Sequence, residues 1–225
     1  MKSHVNLSPA EYETRRAGHL ERRRCAIVQE AVAAQPGGAR HVLELGSGTG
    51  KLLADVASAF PDTRFHGVDV DERMVAHAQG KYRAPNLRYS LADITQDGYP
   101  DQCDVVYSID VVHHLPDHRA GFLAVRNALR DGGSWLAVEP NIWHPYVTLQ
   151  QERMKRAGLG EEHLRPWVVE PLFAEAGLSI ASRRYHHLFP ASVDRLPAPL
   201  ERLERRLEGF RFLGGSVVYR LVRPV

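Results

Sequence analysis

Three glycines spaced two residues apart, Gly46, Gly48 and Gly50, sit in the string V-L-E-L-G-S-G-T-G-K between an apolar run and a helical stretch. Glycines so placed let the main chain turn sharply and let a ligand approach it closely, while amides at a helix start attract an anionic or polar group. The place suits a nucleotide-like ligand. The spacing is not the G-x-G-x-x-G of dinucleotide sites, and the G-K-[ST] ending of a phosphate loop is missing, which argues against a pyrophosphate. Asp69, in Gly67-Val68-Asp69-Val70-Asp71, lies 23 residues beyond Gly46, near the interval at which a carboxylate accepts from both ribose hydroxyls. Asp93, in Leu91-Ala92-Asp93-Ile94, is placed to accept from an adenine amino group, with Ile94 over the ring face. Taken singly, each acid also reads as a helix N-cap or turn carboxylate, and the glycines as a turn with no ligand.

The elements that must position these groups alternate. Residues 8–34 read as one helix, with Ser8 as cap, Pro9 in the first turn, Glu11 at capping-box distance and Pro36-Gly37-Gly38 as the stop. Strands are expected at His41–Leu45, 64–70, Leu87–Leu91, 104–109 and 134–138, and helices at 51–60, Glu72–Lys81 and 117–129. After Glu139-Pro140-Asn141 the pattern loosens, with helices at 145–155 and 166–176, an extended run at 178–187, a helix at 199–208 and a last strand at 215–222. Strands joined by helical crossovers make a parallel sheet covered on both faces. We expect one domain: a helical lid at 1–38, a ligand-binding core at 39–140, an insertion at 141–177, and a final helix and strands at 178–225.

The 225 residues, 44% hydrophobic and 25% charged, suit a globular domain and exclude disorder throughout. No apolar run is long enough to span a bilayer, and the opening residues MKSHVNLSPAEYETRR carry no apolar stretch, so a cytoplasmic location is expected. Cys25 and Cys103 form neither a C-x-x-C nor a framework, so reduced thiols are expected. His186-His187 lacks the companion spacing of a zinc site, and no metal is expected. The charge of +2 is too mild to imply nucleic-acid binding by itself. Arginines do crowd two segments: Arg15, Arg16, Arg22, Arg23 and Arg24, read as a solvated face, and Arg202, Arg205, Arg206 and Arg211. In the second, Leu200, Leu203, Leu207 and Phe210 form an apolar stripe at helical spacing, for which core packing is expected.

The strings E-L-G-S-G-T-G, G-V-D-V-D-E-R-M, A-D-I, C-D-V-V-Y-S-I-D-V-V-H-H-L and L-R-D-G-G-S-W-L-A-V-E-P-N, in this order over residues 42–141, resemble the class I S-adenosylmethionine-dependent methyltransferases. The resemblance implies a Rossmann-like, doubly wound, seven-stranded α/β sheet, mostly parallel with an antiparallel last strand, and S-adenosyl-L-methionine as cofactor. It further implies that Glu44, Gly46 and Gly48 border the methionine half, with Ser47 and Gly50 in the same loop. Asp69 would meet the ribose beside Val70, Asp93 and Ile94 the adenine, and Ser108 and Asp110 the sulfonium. Arg15, on the opening helix, would pair with the cofactor's carboxylate.

A sulfonium methyl is already activated, so transfer needs an in-line nucleophile and a dry encounter more than acid or base chemistry. Where the acceptor must lose a proton, His113 and His114 after the fourth strand, and His144 and Tyr146 in the loop after the fifth, are the candidates, each with packing as the alternative role. Glu139-Pro140-Asn141 resembles the EPN ending of a subgroup acting on small molecules. The expected activity is methyl transfer to O, N or C of a small organic acceptor in specialised biosynthesis, by a monomer or homodimer, with nucleic acid and membrane as unexpected partners. The alternatives are an RNA or protein methyltransferase, an NAD(P)-dependent oxidoreductase on the same sheet, and a non-catalytic cofactor sensor.

Overall fold

The computed structural model describes residues 7–16, 18–156, 164–189 and 193–225. Helices α1 (Pro9–Arg15) and α2 (His19–Ala33) precede strand β1 (His41–Leu45). Then follow α3 (Lys51–Ala57), β2 (Arg64–Asp69), α4 (Glu72–Lys81), β3 (Leu87–Leu91), the single turn α5 (Ile94–Asp97) and β4 (Cys103–Ile109). A 3-10 turn at Val112–His114 and α6 (His118–Ala128) lead to β5 (Leu129–Pro140). The chain ends with α7 (Pro145–Arg156), α8 (Pro166–Glu175), β6 (Ser179–His186), α9 (Ala198–Leu207) and β7 (Ser216–Val222).

The seven strands lie in the order β3-β2-β1-β4-β5-β7-β6. The first five pair in parallel, and β7 runs antiparallel to both of its neighbours. This is the Rossmann-like, doubly wound sheet expected from the sequence. Successive strand residues point to opposite faces, and the apolar runs feed two cores accordingly. Val42, Val105, Leu136 and Val218 pack with Val28 of α2, Leu53 and Val56 of α3 and Val75 of α4. Leu43, Val106, Trp135 and Tyr219 pack with Phe122 of α6 and Phe173 of α8. Rings of Phe122 and Phe173 stand 4.6 Å apart, and Trp135 meets Phe173 edge-on at 5.7 Å. Because the sheet winds outward in both directions from β1 and β4, the loops leaving these two strands part at their C-terminal ends and open a crevice.

The structure corrects three expectations. The run at 8–34 is two helices, because Gly18 takes a left-handed φ of 91° and caps α2; the Ser8–Glu11 capping box forms as expected. The arginine-rich face is only partly solvated: Arg23 and Arg24 are buried at 7% and 6% exposure. The α9 stripe does not enter the core. Leu200, Leu203 and Phe210 are exposed, and Glu204 and Glu208 are buried instead. The reason is electrostatic. Glu204 Oε2 lies 2.9 Å from His19 Nε2, and Glu208 receives Arg23 and lies 3.0 Å from His186 Nδ1, so paired charge rather than leucine decides which side of α9 faces α2 and β6.

At the other end of the sheet His66 is held between two hydroxyls, with Nδ1 2.7 Å from Tyr99 Oη and Nε2 2.9 Å from Ser90 Oγ. Burial, with the charges of Arg88 and His41, drives its pKa down from 6.5 to about 4. The unfolded chain therefore binds a proton between these values that the folded chain refuses, and stability rises with pH across this window. Above pH 6.5 the His66 contribution is fully present; as pH falls towards 4 up to about 3 kcal/mol is lost. Urea midpoints measured at pH 7.5 and 5 should fall between the two pH values in the wild type and fall less in His66→Gln; equal falls would contradict this reading of His66.

Candidate functional site

A cleft of about 530 Å³ opens at the C-terminal ends of β1, β2, β3 and β4. The loop after β1 forms its floor. Gly46 and Ser47 both donate their amides to Val68 O, at 2.8 and 3.0 Å, which staples the loop to β2. Gly46 has φ 68°, and a Cβ there would stand 2.4 Å from Val111, so only glycine fits. Gly46 and Gly48 line the cleft. Gly50 is a left-handed cap for α3, packed against Ala78 and Tyr89, and does not reach the cleft lining.

Asp69, at the end of β2, accepts from the Gly48 amide through Oδ2 at 2.7 Å and from the Asp71 amide through Oδ1 at 2.9 Å. Burial raises its pKa against the lowering effect of these bonds. Each carboxylate oxygen keeps a second lone-pair direction for a hydroxyl pair. Val70 is exposed on the cleft wall beside it. Asp93 caps α5, accepting from Thr95 N at 3.0 Å and Thr95 Oγ1 at 2.6 Å, and also lines the cleft with Ile94. The cap role and the place in the cleft coexist. Ser108 Oγ accepts from Trp135 Nε1 at 3.1 Å at the bottom of the cleft.

Glu44 and Ser47 line a smaller pocket that adjoins the same loop and also touches Tyr12 and Arg16. Burial pushes the Glu44 carboxyl well above its ordinary value. Glu44 Oε2 and Ser47 Oγ are buried with no hydrogen-bond partner, an arrangement that asks for a donor such as an ammonium group or an ordered water.

Asp110, just past β4, adopts φ 56°. It accepts from Arg24 at 2.6 Å and Arg16 at 3.3 Å, while Glu21 accepts from Arg24 at 2.7 Å and Arg16 at 3.1 Å. Two carboxylates and two guanidiniums thus close a ring between the opening helices and the cleft. Burial alone would raise the Asp110 pKa; Arg24 and Arg16 overcome it and hold the carboxyl at about 2. The Arg15 side chain lies outside the described residues; its neighbour Arg16 lines the cleft.

The four expected proton-transfer residues are not brought together. His113 points into the protein: its Nδ1 is 2.6 Å from Glu139 Oε2, and both side chains are buried, at 4% and 0% exposure. Glu139 Oε1 also accepts from the amides of Val111 and Val112, at 3.0 and 2.8 Å, so this glutamate clamps the turn after β4. His114 stacks on His113 with ring centres 4.1 Å apart and lines the cleft. His144, whose pKa burial lowers, and Tyr146, 60% exposed, are not among the residues that line the cleft. Glu21 and Glu139 were not singled out as site residues from the sequence, and Arg24 entered only with the arginine-rich run. Glu139 stood in a quoted motif, but the turn amides and imidazole it serves lie 26 to 28 residues away, and no local spacing announces them.

The charge of the cleft is informative. Its lining holds five carboxylates, Asp69, Asp71, Glu72, Asp93 and Asp110, against two arginines, Arg16 and Arg73. Both arginines are already paired, Arg73 with Asp71 at 2.8 Å. Such a wall favours a neutral nucleoside carrying a cation and repels a pyrophosphate.

A family profile described as a methyltransferase domain matches residues 43–135. A trans-aconitate 2-methyltransferase of Deinococcus radiodurans is 35% identical over 107 residues, covering 48% of this chain and 40% of that protein. The chain spans about half the length of the curated relatives it matches. The N-methyltransferase NodS of Bradyrhizobium japonicum WM9, solved with S-adenosyl-L-homocysteine, superposes with a TM-score of 0.62 at 18% identity, over 92% of this chain and 89% of that one. A structure of a complex between the Haloferax volcanii Trm112 methyltransferase activator and a methyltransferase gives 0.65 at 20%, over 92% of each chain. At these identities the two structures speak for the fold. Among the described residues, no helix is long and apolar enough to cross a membrane and no group of three or more His, Cys, Asp or Glu could hold a metal.

The clamp makes its own demand. Glu139→Gln places an amide NH₂ among three donors and removes the charge they meet, which should cost about 2–4 kcal/mol in urea denaturation. A loss below about 0.5 kcal/mol, the range of a neutral surface change, would contradict the clamp.

Proposed function

Because the chain belongs to the class I S-adenosylmethionine-dependent methyltransferases, we propose that its cleft takes S-adenosyl-L-methionine and that it methylates an oxygen, nitrogen or carbon of a small organic acceptor, with a carboxylate oxygen as the preferred case. The observation that carries this reading is the acidic cleft that Gly46, Gly48, Asp69, Asp93, Ile94 and Asp110 line together. The cofactor supplies a methyl group on a positively charged sulfur. Asp69 would hold the two ribose hydroxyls, Ile94 would cover the base and Asp93 would accept from its amino group. The partnerless Glu44 Oε2 and Ser47 Oγ would receive the ammonium of the methionine tail. The carboxylates would balance the sulfonium charge in a site shielded from water.

The relative named for trans-aconitate suggests a carboxylate acceptor, which arrives deprotonated and needs no general base. His113 is engaged by Glu139, while His114 lines the cleft and is the imidazole that an acceptor needing deprotonation would meet. A role in specialised metabolism belongs to the same proposal. An RNA acceptor is less well supported: of the two arginine-rich segments, the late one, with Arg202, Arg205, Arg206 and Arg211, is exposed, while in the early one Arg23 and Arg24 are buried in ion pairs.

Calorimetric titration should show S-adenosyl-L-methionine binding to the wild type and at least tenfold weaker binding to Asp69→Ala, through loss of two charge-assisted hydrogen bonds. Equal affinity in the two proteins would remove Asp69 from the site. In methyl-transfer assays on matched sets of small carboxylic acids, phenols and amines, the acids should be the acceptors; turnover of amines alone would reject the carboxylate preference.

A further inference from the structure

The opening helix α1 has little apolar surface with which to hold itself in place. Its seven residues, P-A-E-Y-E-T-R, include no buried residue among those whose side chains are described. Polar contacts fix it at two points. On one side Arg16, which follows the helix, reaches Asp110 and Glu21. On the other, the Glu13 carboxylate, 14% exposed, meets three groups of α4 and its end. Oε1 accepts from Lys81 Nζ and from Tyr82 Oη, both at 2.7 Å, and Oε2 lies 3.2 Å from His77 Nε2.

Between these anchors Tyr12 stands over the glycine loop, its ring 3.9 Å from the point where a Cβ on Gly48 would be. Tyr12 and Arg16 line both the cleft and the adjoining small pocket. The helix is therefore a strap across the mouth of the site, tied to α4 at one end and to the turn after β4 at the other. Gly18, at φ 91°, is the backbone break at its C-terminal end.

We propose that Glu13 is a positioning residue for the cofactor: by tying α1 to α4 it sets how fast a bound cofactor, or its demethylated product, leaves the cleft. This rests on the reading above that the cleft takes S-adenosyl-L-methionine. The contact to Lys81 is half exposed, so salt weakens it. Loss of the Glu13 charge removes that sensitivity together with the contact.

The dissociation rate of S-adenosyl-L-homocysteine, followed by chase of a radiolabelled sample, tests the proposal. Glu13→Gln should raise the rate about tenfold, with the melting temperature nearly unchanged and the rate no longer rising with added salt. Lys81→Met, an exposed substitution on the other partner, should raise it in the same direction and carries the test if Glu13→Gln does not fold. In turnover, KM for the cofactor should rise while kcat holds or increases, a split that general loosening of the fold would not give. Wild-type protein that binds the ligand, with both variants releasing it at the wild-type rate, overturns the proposal alone. Wild-type protein that binds none overturns the reading of the cleft and the proposal with it.

Discussion

Where strands of a parallel sheet end, their loops present amides that no neighbouring strand can take, and in a buried place each such amide needs an acceptor. Here carboxylates supply it. Asp69 takes the amides of Gly48 and Asp71, Glu139 those of Val111 and Val112, and at the opposite edge Asp104 those of Arg40 and His41, at 2.6 and 2.8 Å. The loops after β1, β2 and β4 are set by these contacts, so the cleft has a fixed shape before any ligand enters. Part of its charge has the same origin, because Asp69, Asp71 and Asp93 each accept from backbone amides and also line the opening. Shape and, in part, sign share one cause.

That cause also explains how the opening helices are attached. A cleft rich in carboxylates attracts cations, and the chain provides them from α2 and from the end of α1. Arg16 and Arg24 bridge Asp110 and Glu21; away from the cleft, Arg23 meets Glu208 and the His19 imidazole meets Glu204. The N-terminal segment is thus fastened largely by charge, in contrast to the two apolar cores beneath the sheet. Charge contacts can be exchanged for contacts to a ligand more readily than packed side chains can be separated, which suits a segment that covers a binding site.

Much of this was legible in the sequence. The strands β1 to β5 and the helices α3, α4 and α6 follow from apolar period; the structure adds that Asp71 and Asp117 cap α4 and α6. Gly46, Asp69 and Asp93 were singled out because they stand at short spacings after strands, and all three line the cleft. What was hidden shares a different feature. The burial of Glu204 in place of Leu203, the clamp of Glu139 on His113, and the ring of Asp110 with Arg24 all join residues dozens to nearly two hundred positions apart. Helical period predicts which residues share a face, but it does not say which face meets a partner, and a buried cation on α2 reversed the expectation for α9. His113 was a candidate by residue type and location, yet its side chain is turned to Glu139, a partner that periodicity does not reveal.

The central claim is that the acidic crevice between the loops of β1 and β4 holds a sulfonium nucleoside in one defined pose. A crystal structure of the protein grown with S-adenosyl-L-homocysteine tests it most directly. The account predicts the sugar hydroxyls on Asp69, the base beside Asp93 and Ile94, and the amino-acid tail towards Glu44 and Ser47. A cleft that stays empty at saturating ligand, or a ligand bound with its sugar away from Asp69, would contradict it.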